Sequence, residues 1–296
     1  MFQTPCISFH SFGNRLGFYF EALLCAKKLG ATFLATSLSN DTSHYKDHFF
    51  HSLPTLVENR DPVKKYYLDL DSVNAICPCN DYCHETNKSL LFQYQDYVKS
   101  IFTVAITAQI EFMKKTGLSY HNELPLIPDV ALHYRCSDNS YYGIMPFKVY
   151  SDRIPANAKN IYILSENLSR NQPARASSYC KSIIAEFRSY LQKLFPLSIV
   201  SVFRGQDIYV DLARLTFANT TICSVSTYCL FPAISSSNYV YYPVSKFIAS
   251  ESTYQMSNPK FNWITEPMLI MDFTNQNLHF LLHFLKTLQK KHLKIT

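Results

Sequence analysis

The stretch Asp129–Asn139, DVALHYRCSDN, joins an apolar strand pattern to an abrupt polar end. The letters VAL predict a buried strand, and a histidine, an arginine and an aspartate follow at once: His133, Arg135 and Asp138. In open α/β sheets, ligand sites lie at the carboxyl ends of the strands. The stretch therefore predicts a strand with an anion-binding edge, and the simpler alternative is a strand end that meets solvent.

Strand and helix patterns alternate after this stretch. Short apolar runs occur in NIYILS, SIVSVF, TICSVS and YVYYP, with helical spacing between them in SSYCKSIIAEFRSYLQKLF and DIYVDLARLTFAN. This alternation is typical of a parallel sheet with helices on both faces. Near the start, CISFHSF, GNRLG, FYFEALLCAKKLG and ATFLATS predict a β-loop-α-β unit whose helix ends at Gly30. The apolar spacing from Lys88 to Leu118 is too long for one ordinary helix without a kink. The fold class is therefore α/β.

The composition and net charge of the chain limit the classes of ligand that it is expected to bind. The chain of 296 residues is 47% hydrophobic and 17% charged, with 21 Tyr and 22 Phe, which is typical of a packed globular protein. The net charge of +6 is spread along the chain, so we expect no nucleic-acid partner, and a polyanionic small ligand such as a nucleotide fits better.

The sequence also predicts the location of the protein and whether its cysteines are thiols or disulfides. No apolar run approaches the roughly 18 residues of a membrane span, and the first residues lack a signal-peptide pattern, so we expect a cytoplasmic location. We also expect the protein to be a monomer. The nine cysteines in such a chain predict thiols rather than disulfides. Four N-x-S/T sequons are then most simply chance: Asn40, Asn87, Asn167 and Asn219.

Two further segments contain residues suited to phosphate. The letters GNRLG place Gly13, Asn14 and Gly17 in a predicted loop that opens a helix, where backbone N–H groups favour an anion. Neither a dinucleotide fingerprint nor a P-loop is present there. Later, a predicted helix carries Asp207, Asp211 and Arg214, and the strand after it ends in three hydroxyl side chains: Ser224, Ser226 and Thr227. Hydroxyls at a strand end also suit a phosphate.

The order GNRLG, HYRCSD and LARLTFA…ICSVSTY resembles the fucosyltransferase superfamily of the GT-B fold, which has an HxRxxD motif in the middle position. The HYRC form is also similar to algal and large-DNA-virus glycosyltransferases, among them chlorovirus xylosyltransferases that build capsid glycans. Arg15 stands where the superfamily usually has Gln, and CSD replaces its usual turn, so UDP-xylose competes with GDP-fucose as the donor. The resemblance implies inverting transfer of a sugar to a hydroxyl of an oligosaccharide or glycoprotein, with no required cofactor.

The resemblance also implies a domain division and a donor site. It predicts two Rossmann-like lobes with parallel sheets facing a central cleft: an acceptor-side lobe at 1–122, a nucleotide-sugar-binding lobe at 123–274, and a C-terminal helix at 275–296 that packs back on the first lobe. Arg135 would contact the diphosphate. The other implied donor-binding residues are Asn14, Arg15, His133, Asp207, Ser226 and Thr227.

An inverting transfer needs a base for the acceptor proton. A carboxylate on the acceptor-side lobe is better placed than one beside the phosphates, so Asp71 is the preferred catalytic base. The alternative bases are Asp69, Glu85 and Asp138.

Two possible metal sites and one other function are alternatives to this interpretation. Asp69 and Asp71 form a D-x-D, the metal-holding pair of GT-A glycosyltransferases. The cluster CPCNDYCHE offers four zinc-ligand types, but no second distant pair follows, so we expect a loop with buried thiols and no metal: Cys77, Cys79, Cys83 and His84. A non-catalytic nucleotide- or glycan-binding protein of the same fold is the remaining alternative.

Overall fold

The computed structural model describes residues 2–3, 12–30, 33–34, 49, 52–54, 56–57, 88–116, 125–136, 144–166, 174–205, 207–245, 254–266, 282–283 and 285–286. The chain divides into two compact units. The first unit comprises Met1–Leu124, Thr227–Ser237 and Val244–Pro259, and the second comprises Pro125–Ser226, Asn238–Pro243 and Lys260–Thr296.

The second unit contains a six-stranded parallel sheet. Its strands are β4 (Val130–His133), β5 (Asn160–Ser165), β6 (Ile199–Arg204), β7 (Thr220–Ile222), β8 (Tyr239–Pro243) and β9 (Phe261–Ile264). The helices of the unit are α4 (Phe147–Ser151), α5 (Ala174–Leu194) and α6 (Ile208–Phe217). The spatial order of the strands is β6-β5-β4-β7-β8-β9. This is the order of a doubly wound Rossmann-like sheet.

Side chains alternate between the two faces of this sheet. Along β4 and the residues after it, Val130, Leu132, Tyr134 and Cys136 belong to one core cluster, together with apolar residues of α4 and α5. Successive side chains of an extended chain point to opposite faces, so His133 and Arg135 lie on the other face. Helix α6 contacts β4 and β7 from that other face, where Thr221 Oγ1 donates a hydrogen bond to Leu215 O at 2.6 Å. The predicted α/β sheet with helices on both faces is confirmed.

The first unit has a small sheet and a helical core. Strands β1 (Phe2–Gln3) and β2 (Phe33–Leu34) are parallel, and β2 is antiparallel to β3 (Leu56–Val57). The helices are α1 (Phe12–Leu29), α2 (Lys88–Gln93), α3 (Gln95–Lys115) and α7 (Thr227–Ser235). The break at Tyr94 between α2 and α3 confirms the kink that the long apolar spacing predicts.

Aromatic packing joins the helices of the first unit. Phe20 of α1 and Phe102 of α3 both stack on Phe231 of α7, with ring centroids 5.2 Å and 6.3 Å apart. All three side chains are fully buried or nearly so, and burial of such rings is the main favourable term for a helix interface. Helix α1 ends where the sequence predicts, because Gly30 takes a positive φ of 61° that other residues rarely adopt.

One local prediction in this unit is wrong. The glycine-rich loop expected at Gly13–Gly17 is the start of α1, which begins at Phe12. A Cβ on Gly13 would lie 2.6 Å from Tyr228 N and 2.9 Å from Thr227 C, so the glycine permits the start of α7 to pack on the helix. Gly13 therefore serves close helix packing rather than a turn.

The expectation of free thiols is also wrong within the described chain. Cys136 and Cys180 form a disulfide that spans 44 residues, and three further cysteines are disulfide-bonded: Cys25, Cys223 and Cys229. Sequence spacing does not reveal such pairs, because β4 and α5 bring Cys136 and Cys180 together only in the folded chain. The expectation of thiols followed from the expected cytoplasmic location, which itself stays a prediction.

Candidate active site

The candidate site lies at the carboxyl edge of the six-stranded sheet, where β4 and β7 are neighbours. The chain leaves β4 toward β5 on one side, and the later strands continue from β7 on the other side. In an open α/β sheet this reversal of strand order is the point where ligands bind. The residues after the two strand ends, Tyr134–Cys136 and Cys223–Ser226, therefore form the edge of the site.

Ser224 connects the two strand ends. Its backbone N–H donates to His133 O at 3.1 Å, and its side-chain Oγ accepts a hydrogen bond from Arg135 N at 2.9 Å. The same Oγ hydrogen-bonds to His133 Nδ1 at 2.8 Å. Ser224 is almost fully buried, so three hydrogen bonds hold it in one position against both residues of the motif. It fixes the backbone at Arg135.

His133 is a neutral side chain in this arrangement. Burial, with a further contribution from the nearby Arg135 charge, lowers the pKa of His133 to about 3. A neutral imidazole has one donor nitrogen and one acceptor nitrogen. At neutral pH His133 therefore offers hydrogen bonding beside Arg135 without adding a second positive charge.

Arg135 is partly exposed and lies on the face of the sheet opposite α5. Its charge lowers the pKa of His133, and it opposes the rise that burial produces in the pKa of Tyr242. The guanidinium therefore lies near both β4 and β8. Tyr242 itself is fully buried and donates a hydrogen bond to Ser226 O at 2.8 Å, which anchors the segment after β7. A partly exposed cation on an anchored backbone is suited to an anionic ligand.

Tyr150 of α4 reinforces the same strand end from the opposite face. Its hydroxyl donates to His133 O at 3.2 Å, and its ring packs 5.5 Å from the ring of Tyr134. The Tyr134 ring in turn lies 4.9 Å from Phe187 of α5. The aromatic core on the α5 side therefore holds the backbone from which Arg135 projects.

Asp207, predicted to bind the donor, caps a helix. Its Oδ1 accepts hydrogen bonds from Tyr209 N at 2.8 Å and from Val210 N at 3.4 Å, at the start of α6. An aspartate in this position satisfies backbone donors of the first turn and complements the helix dipole. The capping bonds account for the placement of this carboxylate, and its predicted contact with a donor stays a prediction.

Asp211 and Arg214 form a buried ion pair on the same helix. Arg214 Nη1 donates to Asp211 Oδ1 at 3.0 Å, and the guanidinium lies 3.8 Å from the centre of the Phe203 ring. Burial raises the pKa of Asp211 to about 7, although the Arg214 charge and hydrogen bond act in the opposite direction. The pair lies between α6 and the sheet and gives the fold a group that titrates near neutral pH.

Stability should depend on pH through Asp211. Its folded pKa lies above the value of an unfolded carboxyl, so the folded state holds an extra proton between about pH 4 and pH 7. The free energy of unfolding should therefore fall as pH rises through this window, by up to about 1.4 kcal/mol per unit, and Asp211→Asn should remove that slope. Urea unfolding from pH 4 to 8 measures it, with Asp152→Asn, at the exposed C-terminal cap of α4, as the control. Parallel curves for Asp211→Asn and the parent protein would contradict the assignment.

The other predicted site residues are distributed as follows. Asn14 and Arg15 lie in the first turn of α1, and the structure describes only their backbone. Thr227 is the first residue of α7 in the first unit, where its Oγ1 would lie 2.8 Å from a Cβ on Gly13. The proposed bases and the cysteine-rich cluster lie outside the described residues: Asp69, Asp71, Glu85, Asp138, Cys77, Cys79, Cys83 and His84.

Comparisons with protein-family models, curated proteins and solved structures found no match. The site must therefore be interpreted from its own geometry.

Within the described part of the chain, no group of three or more His, Cys, Asp or Glu side chains is arranged to hold a metal ion. None of the helices in these ranges is both long and apolar enough to cross a bilayer.

Sequence reasoning assigned no role to Tyr242 or the Cys136–Cys180 pair, and it gave Ser224 only a general role as a hydroxyl suited to a phosphate. Ser224 was noted only as one of three hydroxyls after a strand, because its contacts with His133 and Arg135 arise from strand pairing across 89 or more residues. The signal that could have identified it is its position directly after the apolar run TTIC, since β4 and β7 end at the same edge.

Proposed function

We propose that this protein is an inverting glycosyltransferase that transfers a sugar from a nucleotide diphosphate donor, UDP-xylose or GDP-fucose, to a hydroxyl of a glycan. The observation that carries the proposal is Arg135, held by Ser224 at the point where the strand order reverses. A nucleotide bound there would place its diphosphate against a permanent positive charge and a neutral His133. In this proposal the two units are the two lobes of a GT-B enzyme.

The chemistry requires charge stabilisation and one proton acceptor. The acceptor oxygen forms a bond to the anomeric carbon while the bond from that carbon to the phosphate oxygen breaks, and the bonding electrons leave with the diphosphate. Arg135 stabilises the negative charge that develops on that oxygen. The acceptor proton passes to a carboxylate, for which Asp71 is the proposed residue and Asp69, Glu85 and Asp138 are the alternatives.

The His133–Ser224 hydrogen bond supports an organising role rather than a base role for the histidine. A general base functions best with a pKa near the working pH, and the pKa of His133 is depressed to about 3. His133 therefore orients the strand end and the ligand, and the base is a different residue.

The decisive experiment measures binding and turnover together. Purified protein is titrated with UDP and with GDP by calorimetry, and it is then incubated with UDP-xylose or GDP-fucose while release of the nucleoside diphosphate is followed. We expect binding of one nucleotide and turnover of its sugar conjugate, with turnover unchanged in EDTA. Binding without turnover on a panel of nucleotide sugars would instead establish the non-catalytic alternative. Loss of turnover in EDTA, restored by a divalent cation, would favour the metal-dependent GT-A mechanism with Asp69 and Asp71.

A further inference from the structure

We propose that the Cys136–Cys180 disulfide is a positioning element of the candidate site, which holds the Arg135 backbone so that the guanidinium is preorganised for a diphosphate. The inference rests on the proposed function, because it assumes that Arg135 binds the nucleotide. It assigns a role in ligand binding to a cross-link whose two sulfur atoms lie on the opposite face of the sheet from that ligand.

The chain around Arg135 is anchored on the α5 side at both neighbouring residues. Tyr134 is fully buried in the aromatic core, and its N–H donates to Leu164 O of β5 at 2.9 Å. Cys136 is bonded to Cys180, which is buried in α5 beside the core residues of that helix. The disulfide is therefore the covalent link between the residue after Arg135 and the helix that forms the rigid layer behind the sheet.

The opposite side of Arg135 is anchored through β7. Ser224 Oγ accepts the Arg135 N–H at 2.9 Å, and the residue before Ser224, Cys223, is fully buried and also disulfide-bonded. Arg135 thus lies between two anchors, one covalent and one hydrogen-bonded. With Cys136 released, the segment would lose its covalent anchor and would be held by noncovalent contacts, among them the Ser224 bond and the Tyr134 N–H bond to Leu164 O.

Preorganisation explains why such anchoring affects binding. A ligand that must first order a loop loses part of its affinity to that ordering, and a shift of about 1 Å in a positioning group can lower a rate about 100-fold. The effect is specific to interactions made by the positioned group. Releasing the cross-link should therefore matter only while Arg135 is present.

A double-mutant cycle tests this dependence. The four proteins are the parent, Cys136→Ala/Cys180→Ala, Arg135→Ala and the combined variant, each assayed by calorimetry with UDP and GDP. We expect the cysteine double variant to bind the preferred nucleotide at least about tenfold more weakly than the parent. In the Arg135→Ala background, the same cysteine changes should alter the remaining affinity less than about twofold.

A destabilised control separates positioning from general loosening. Leu191→Ala creates a cavity in the same helix and core and should lower the melting temperature without changing nucleotide affinity. If the cysteine double variant does not fold, the cycle is run with Cys136→Val/Cys180→Ala, which refills part of the volume of the two sulfur atoms, because dithiothreitol would also reduce the bonds of Cys25, Cys223 and Cys229.

The outcomes distinguish the two proposals. If the parent binds neither nucleotide, the proposed function fails and this inference fails with it. If the parent binds but the cysteine double variant binds equally well, only the positioning role is overturned. Equal losses with and without Arg135 would also overturn it, because the disulfide would then act on the whole unit and not through the arginine.

Discussion

Replacing Arg135 by alanine is expected to reduce turnover of the nucleotide sugar by about 100-fold or more, since one preorganised donor to a developing negative charge contributes on that scale. The residue is partly exposed on an anchored backbone, so the substitution removes the proposed ligand contact rather than a core side chain. The melting temperature should change little. Steady-state release of UDP or GDP from its sugar conjugate measures the effect.

Arg135→Lys is the sharper variant because it retains the charge. A guanidinium donates two parallel hydrogen bonds to a phosphate, whereas an ammonium is a point charge with different reach. We expect lysine to recover only a small part of the activity. Arg188→Ala is the matched control: it removes one positive charge from the exposed surface of α5, where Arg188 Nε donates to Val200 O at 3.1 Å. Equal effects of Arg135→Ala and Arg188→Ala would show that general charge, and not the β4 edge, attracts the ligand.

The strands of the second unit could be predicted because their patterns are local. Four runs, VALHYR, NIYILS, SIVSVF and YVYYP, are mainly apolar over a strand length, and each contains one of the parallel strands. Strand β9, with the sequence FNWI, was not predicted, since only its first and last residues are buried and its pattern does not differ from that of a loop. The order of the strands could not be read from local patterns, because it depends on where each helix returns the chain.

Sequence reasoning named His133, Arg135 and Ser224 at strand ends, but it did not predict how they are connected. The letters HYR at a strand end indicated an anion-binding edge, and parallel pairing of β4 with β7 brings Ser224 to the same edge. The depressed pKa of His133 follows first from burial, which one short motif does not reveal, and then from the charge of Arg135, whose effect depends on the folded geometry. The disulfide was not predicted for a related reason. Nothing in the local sequence shows that two cysteines 44 residues apart are paired, because only folding brings them together.

Gly13→Ala is expected to destabilise the first unit by at least about 2 kcal/mol, although alanine is the better helix former. The added methyl would lie 2.6 Å from Tyr228 N, 2.8 Å from Thr227 Oγ1 and 2.9 Å from Thr227 C. Two of these atoms are backbone and cannot rotate away, so the start of α7 must shift. That shift would disturb an interface in which Phe20 of α1 stacks on Phe231 of α7.

Gly17 provides the matched control on the same helix. A Cβ at Gly17 would have no atom within 4 Å, apart from its chain neighbours and the backbone of its own helix. Gly17→Ala should therefore stabilise the unit by up to about 1 kcal/mol, through helix propensity alone. Urea unfolding followed by far-ultraviolet circular dichroism compares the two variants. Opposite signs are the expected result, because only Gly13 lies against α7; stabilisation by both alanines would mean that α1 and α7 do not approach each other as closely as the structure places them.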